Sequence, residues 1–561
     1  MDVSGLDVMS YHDGKLAFVS GVLDKLRVVE IITQRLSQTS GRPASLPYGN
    51  TAKLMILNIA DSHHPLSRLD EYYELKDVAA LAGFPVDPEQ INDSRFGHLL
   101  DLLFAAGPRR VFTEIATHAF LTYGLTIKSL NYDTTSKVMW GEYETDEEEL
   151  GVVSITFGHS KDKRPDKKQL KVGIGTADGA IVDAKVLSGN HDDKTYNHEV
   201  LDDVEATLER FNTSKEEFHY VADSACFTKS NIEKAAEKGI QFITRCPGTV
   251  KITSELIDDA WDHAERFLPV TMTNAHGDSV AYLVQDYRRS YKGFPCRFAV
   301  CYSQSLETQK RKTLERAAAK EGEAIEKSAK TYKKRAFVCE ADAQKEIALL
   351  QERDAKTIQY HHITYKVVAV EKKKRGRPKK QPDGSDKSYQ YFIDLQAQLD
   401  DQRFASRLQL QATFVLVSND LSLDAATMLT EYRTQSSVEK KFQQLKSPHF
   451  VNALYLNKPE RIEALTYLIL ITMMVLSVVE RVVRRQMKQE GLSVIGPGKV
   501  RMTQPTLQAI VGIFHNASIN KITYGGRVER RLIKPLNSSQ KTILRCLGLM
   551  EGLFTPAFEF D

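Results

Sequence analysis

The run ALTYLILITMMVLSVV, residues 464–479, holds sixteen residues without a charge and is bounded by Glu463 and Glu480. It falls short of the roughly 20 apolar residues that a bilayer crossing needs, so it reads as a helix apolar all round and buried in a core. A chain carrying such a helix must supply apolar faces to cover it. At 561 residues the chain is too long for one compact core, and three or four domains are expected.

Just upstream, TEYRTQSSVEKKFQQLKSPHF spaces Tyr432, Glu439 and Lys446 seven residues apart, on one helical stripe. Val438, Phe442 and Leu445 form an apolar face about a quarter turn away. An ordinary amphipathic helix with solvated charges explains this pattern. So does a helix margin where a lone carboxylate holds a metal against a phosphate. The preceding ATFVLVSND is apolar and β-branched enough for one buried strand, and LSLDAATML opens a helix with Ser422 as its cap.

Two further acids are expected where strands end, the place where open α/β sheets collect their ligands. Asp133 lies in SLNYDTTSK, a run of alternating polarity, and Asp223 closes the apolar run 220–222 of FHYVADSACFTKS. Phosphodiester chemistry gives a reason to want three acids. Two Mg²⁺ ions about 3.5–4 Å apart stabilise the attacking and leaving oxygens of an in-line displacement, and such hard cations take carboxylate oxygens.

The order Asp133, Asp223, Glu439, with the last two separated by 216 in sequence number, resembles the DDE transposases of bacterial insertion sequences, in the insertion-sequence-four superfamily. That group carries a Tyr, two residues, Arg, three residues, Glu, six residues, Lys signature. Tyr432, Glu439 and Lys446 fall on it; the Arg position holds Gln435, and Arg433, two places earlier at a different helical angle, is the candidate substitute. The stretch GHSKDKRPDKKQLKVGIGTADGAIVDAKVLSGNHDDKT also resembles the segment between the first two acids in one branch of the group.

The resemblance implies a multi-domain chain. An all-α N-terminal domain over 1–125 binds the element's ends, and an α/β RNase H-like catalytic core spans 126–246 and 412–490. A mixed, β-rich insertion with a helical hairpin covers 247–411, and a helical C-terminal region covers 491–561. It implies that Asp133, Asp223 and Glu439 are catalytic and bind two Mg²⁺ ions, with Mn²⁺ as a substitute. Tyr432, Arg433 and Lys446 then hold DNA phosphates. The partners implied are double-stranded DNA, as terminal inverted repeats and as target, and a second copy of the chain. The expected place is the prokaryotic cytoplasm, with no membrane. The rival readings are a structure-selective nuclease that never joins, and a domesticated DNA-binding protein.

Composition agrees without deciding. The 76 basic and 73 acidic residues nearly cancel, so DNA contact must come from local patches. One such patch is KKKRGRPKK, 372–380, in which seven of nine residues are basic. Its Arg-Gly-Arg-Pro centre matches an AT-hook, where two arginines enter a narrow minor groove. Lys374, Arg375, Arg377 and Lys379 are therefore candidate DNA contacts, against the alternative of a solvated hairpin tip. In the insertion, Leu314, Ala318, Ile325, Ala329 and Tyr332 form an apolar helical seam, with VCEADAQKEIALLQER as its returning partner.

Other residues attract structural readings. Trp261 is expected in the insertion's core, with base stacking as the alternative; Asp192 and Asp193 read as helix caps, and DEEE at 146–149 as a solvated loop. The six cysteines are scattered without zinc spacing, and His63–His64 and His361–His362 lack ligand partners at metal spacing.

Overall fold

The computed structural model describes residues 6–37, 45–61, 64–86, 88–141, 143, 151–273, 279–372, 388–446 and 456–557. The chain forms two compact units: Met1–Thr244 with Ser418–Asp420 and Thr430–Asp561, and Arg245–Val417 with Leu421–Leu429. It is a mixed α/β protein whose leading region is helical.

In chain order the first unit begins with β1 (Asp7–Tyr11), then α1 (Gly14–Lys25), α2 (Val28–Ser37), α3 (Tyr48–Asp61), α4 (Leu69–Glu74), α5 (Val78–Ala82), α6 (Asp93–Ala105) and α7 (Pro108–Tyr123). Three strands and a helix follow: β2 (Ser129–Val138), β3 (Gln169–Ala177), β4 (Ala180–Leu187) and α8 (Asp193–Arg210). Next come β5 (His219–Ala222), α9 (Lys229–Glu237) and β6 (Phe242–Arg245). Within this unit the strands lie in the order β4-β3-β2-β5-β6. The pairs β2/β3 and β3/β4 are antiparallel, and β5 runs parallel to both β2 and β6.

Every residue of β3 is buried, and glycine makes that possible at two points. A Cβ on Gly173 would lie 2.1 Å from the Tyr196 hydroxyl, and one on Gly175 would lie 2.6 Å from the Tyr132 ring. Both tyrosines are thus packed directly against the strand's backbone.

The second unit contains α10 (Lys251–Asp262), the antiparallel meander β7 (Leu268–Thr273), β8 (Ser279–Tyr291) and β9 (Phe294–Ser303), and the long helices α11 (Gln304–Tyr332) and α12 (Glu340–Thr357). The hairpin of β10 (His361–Glu371) and β11 (Tyr389–Leu399) follows, then α13 (Asp401–Ala412) and β12 (Thr413–Ser418), which neighbours β9. Along the expected seam of α11, Leu314, Ala318 and Ile325 are buried. Ile325 packs with Phe337, Ala343 and Leu350 and with Ile393 and Leu395 of β11, so the helical hairpin rests on the strand hairpin. Trp261 is half-buried and partnered: its indole N–H donates to Thr413 Oγ1 at 3.1 Å and its ring lies against Phe267 and Tyr302. The basic-loop candidates Lys374, Arg375, Arg377 and Lys379 lie outside the described residues.

After α14 (Ala425–Arg433) and α15 (Ser436–Leu445), the uncharged run forms the middle of α16 (Pro459–Glu490). This helix opens on proline and stops at Gly491 in the left-handed region, φ +64°. Its most apolar stretch is 94% buried, covered by α1, α3, α6, α7 and β4. It also serves β4: Ser477 Oγ accepts the Ile181 N–H at 3.0 Å and the Tyr467 hydroxyl accepts that of Val186 at 3.3 Å, so edge-strand donors are satisfied.

The C-terminal region corrects the expectation of a helical segment. After α16 the short strands β13 (Val494–Ile495) and β14 (Arg501–Met502) pair, and between α17 (Leu507–Gly512) and α18 (Ser538–Leu547) the chain forms the hairpin β15 (Ile519–Tyr524) and β16 (Arg527–Leu532). Gly525 and Gly526 turn that hairpin with φ +57° and +78°, the paired positive values of a two-residue turn. The leading region likewise is not purely helical, because β1 adds to β15 as a third strand. The junction is locked by Arg530, which forms two hydrogen bonds to the buried Asp77 carboxylate at 2.6 and 3.1 Å.

Two substitutions test this account by chemical denaturation of the full chain. Leu468, fully buried in α16, should cost about 2–5 kcal/mol when changed to Ala. Arg530→Met strands a buried carboxylate and should cost about 3–5 kcal/mol, whereas Arg531→Met next to it, on an exposed side chain, should leave the denaturation midpoint unchanged.

Candidate active site

The parallel register of β2 and β5 pairs Ser129 with His219 and ends on Tyr132 opposite Ala222. One further step sets Asp133 beside Asp223, on strands roughly 4.8 Å apart. Burial pushes the Asp133 carboxyl up, with Lys161 opposing. Burial also pushes the Asp223 carboxyl up, and the neighbouring Asp133 charge adds to it. Two carboxylates that resist ionising together are a site short of positive charge.

Each acid is oriented by backbone. Asp133 Oδ1 accepts the Thr134 N–H at 2.7 Å, and Asp223 Oδ1 accepts the Ala225 N–H at 3.1 Å, capping a short helical turn. The positive charge present comes from Lys161, whose ammonium stands 3.2 Å from Asp133 Oδ1 and donates to Thr134 O and Oγ1 at 2.7 and 2.9 Å.

Asp193 joins this group, which corrects its reading as a cap. Asp192 alone caps α8, accepting the N–H groups of Lys194 and Thr195. The Asp193 carboxylate instead accepts from Thr134 Oγ1 at 2.8 Å and pairs with Lys171 at 3.2 Å and Lys161 at 3.5 Å. Burial works against its ionisation, but Lys161, Thr134 and Lys171 outweigh it and hold the carboxyl low. Sequence reasoning missed both Asp193 and Lys161. Adjacent aspartates at a helix start look alike, and Lys161 sits in a basic run with nothing local to mark it.

Glu439 arrives on α15, which packs on β2 and β3. Thr434 Oγ1 donates to Asn131 Oδ1 at 2.8 Å, and the hydroxyls of Ser437 and Thr176 are 2.9 Å apart. Asn131 and Thr176 face each other across the two strands, and Asn131 shares the β2 face of Asp133. Behind the helix, the buried Lys441 ammonium pairs with Glu480 of α16 at 3.6 Å. Glu439 itself is exposed. Among the described residues no three His, Cys, Asp or Glu side chains are grouped as a metal centre. The structure therefore brings Asp133 and Asp223 together and leaves Glu439 on a helix lying over the same strands.

The single stripe expected over Tyr432, Glu439 and Lys446 is broken. The helix stops after Arg433 and restarts at Ser436, with the turn tightened into i to i−3 hydrogen bonds from Thr434, Gln435, Ser437 and Val438. Such a turn advances each residue further round the axis than an α-helix does, so Tyr432 leaves the line through Glu439 and Lys446. The side chain of Gln435, at the signature arginine position, is buried, and its Oε1 has no hydrogen-bond partner among the described residues. Tyr432 and Arg433 end α14, half-buried. Lys446, at the C-terminal end of α15, pairs with Asp162, the residue next to Lys161.

A hard divalent cation suits Asp133 and Asp223, which offer carboxylate oxygens and gain relief from their mutual repulsion. Against known families, residues 11–117 match a domain of unknown function (DUF4277), and residues 148–475, more than half the chain, match the transposase DDE domain. Asp133 lies between the two matches; Asp223 and Glu439 fall inside the second. No curated protein matches the chain. Among solved structures, a piggyBac transposase synaptic complex with hairpin DNA is similar at 9% identity and a TM-score of 0.34, over 90% of this chain and 79% of that one. With more than half its length in that match, the chain belongs to the transposase DDE domain family.

Proposed function

We propose that this transposase cleaves DNA at the ends of its mobile element and joins the freed 3′-hydroxyls to target DNA, using an RNase H-like core. The observation that carries the reading is the register that seats Asp133 beside Asp223 in a chain matching the transposase DDE domain. Asp133, Asp223 and Glu439 are the ligands for divalent metal, read as two Mg²⁺ ions with Mn²⁺ as a substitute. Bound there, the ions would polarise the scissile phosphate and stabilise the attacking and leaving oxygens.

The chain's own residues do the positioning. Thr134 and Ala225 fix the two aspartates through backbone N–H groups. Thr434 and Ser437 seat the Glu439 helix on the strands. Lys446, at the surface end of that helix, offers a point charge for a phosphate, with Tyr432 and Arg433 as further contacts. Duplex DNA is the partner, two copies of the chain synapse two ends, and the cytoplasm is the place of action.

Incubating the protein with Mg²⁺ and DNA carrying the element's own ends tests this. Joined products are expected; cuts without joining point to a nuclease, and binding alone to a DNA-binding protein. Asp223→Asn should lower cleavage and joining together by about a thousandfold or more, the scale of several kcal/mol of lost charge stabilisation. Joining that survives this change would sink the assignment.

Stability has the opposite sign. Both carboxyls are raised in the folded chain, so the folded state binds more protons than the unfolded one, and stability falls as pH climbs from the ordinary carboxylate range of about 4 through the folded values. In chelator at pH 8, Asp223→Asn should therefore unfold at a higher temperature than the natural chain, with the gain shrinking towards pH 4. A lower unfolding temperature at pH 8 would contradict the electrostatic account.

A further inference from the structure

The chain has two tryptophans, and they have opposite surroundings. Trp261 is packed and hydrogen-bonded. Trp140, two residues past the end of β2, is 64% exposed. An indole carries more apolar surface than any other side chain, and leaving it open to water forgoes the benefit of covering it.

Trp140 is nonetheless firmly presented. The β2/β3 ladder continues past the strand through the Met139 N–H to Lys168 O at 2.9 Å. The Tyr143 hydroxyl donates to Trp140 O at 3.4 Å, Lys168 Nζ donates to Tyr143 O, and the Tyr143 ring is buried against Gly141. Two cations flank the indole: the Lys167 ammonium lies 4.7 Å and the Arg164 guanidinium 5.4 Å from the ring centroid. Asp166 holds the Arg164 fork through two hydrogen bonds, at 2.8 and 2.7 Å. The segment 158–168 carries five Lys or Arg against two Asp, and its Lys161 reaches Asp133. Trp140 lies seven residues beyond Asp133 along the same strand, roughly 23 Å at about 3.3 Å per residue.

A cation–π staple for the loop would gain about 0.5–1 kcal/mol at an exposed site, and it would not need the indole left so open. An exposed aromatic ring beside surface cations is instead the composition of sites that hold unpaired nucleic acid, where a base stacks on the ring and lysine or arginine takes the phosphates. A duplex keeps its base faces stacked on each other and has none to offer. Resting on the strand-cleavage reading above, which brings DNA ends to these strands, we propose that Trp140 with Lys167 and Arg164 is a docking platform for single-stranded DNA, some seven residues along the chain from Asp133.

Two measurements on the full chain in chelator test this, using oligo-dT and a blunt duplex of equal length. In Trp261→Phe the only indole is Trp140. Its emission should be quenched saturably by oligo-dT at lower concentration than by duplex. In the otherwise natural chain, Trp140→Leu should weaken binding of labelled oligo-dT roughly tenfold or more, as read by anisotropy, and leave duplex binding unchanged. Lys167→Ala should reduce the salt dependence of oligo-dT binding by about 0.7 in log–log slope for a lost phosphate contact. Should Trp261→Phe fail to fold, the anisotropy arm decides alone. Oligo-dT binding that is insensitive to Trp140→Leu overturns the platform and leaves the transposase reading standing, as does equal quenching by duplex. Binding of neither DNA overturns both.

Discussion

A helix whose sixteen-residue middle is apolar on all sides has no stable place in water until every side of that stretch is covered, and the cover for α16 comes from distant parts of the chain. Helices α1, α3, α6 and α7 supply one part and β4 another. Through β4 the helix reaches the sheet, because Ser477 and Tyr467 accept the strand's outward N–H groups. Through Glu480 it reaches α15 by way of Lys441, a lysine whose burial lowers its pKa and which depends on that carboxylate for its charge. The elements that carry Asp133 and Glu439 are thus both fixed, at one or two removes, to the same buried helix.

What the core stabilises, the acid pair opposes. Asp133 and Asp223 are half-buried and repel each other, and the chain answers with Lys161 and Lys171, each shared with Asp193. Five charged side chains, three acidic and two basic, stand round the paired strands β2 and β5. Concentrating negative charge where a phosphate must be handled is costly to the fold, and it gives a divalent cation a reason to bind there.

Much of this was legible in the sequence because it was local. The uncharged run, the two strand-borne aspartates and the apolar seam of α11 follow from composition and period, although Asp133 sits in the middle of β2 and only Asp223 directly follows a strand's last residue. What stayed hidden depends on partners far away in sequence. The pairing of β1 with β15 joins residues about five hundred positions apart. The break at Thr434 and Gln435 accompanies a hydrogen bond from Thr434 to Asn131, three hundred positions earlier, so a seven-residue repeat overstated the continuity of its helix. Asp193 differs from Asp192 only in what faces it. The C-terminal hairpin is another case: Gly525-Gly526 between alternating runs is a readable turn signal, outweighed by the expectation of a helical end.

Glu439 shows how the two halves of the site are tied. Its helix meets the sheet through Thr434 and Ser437, beside Asp133's own strand face. Its far end meets Asp162 through Lys446, while the adjacent Lys161 holds Asp133. These neighbours carry opposite charge and share one backbone, so one short loop contacts both the Asp133 strand and the end of the Glu439 helix. The exposed setting of Glu439 and the lysine seated on Asp133 are two sides of one electrostatic arrangement, in which the chain's own positive charge holds the acids and the glutamate helix rests on the strands beside them.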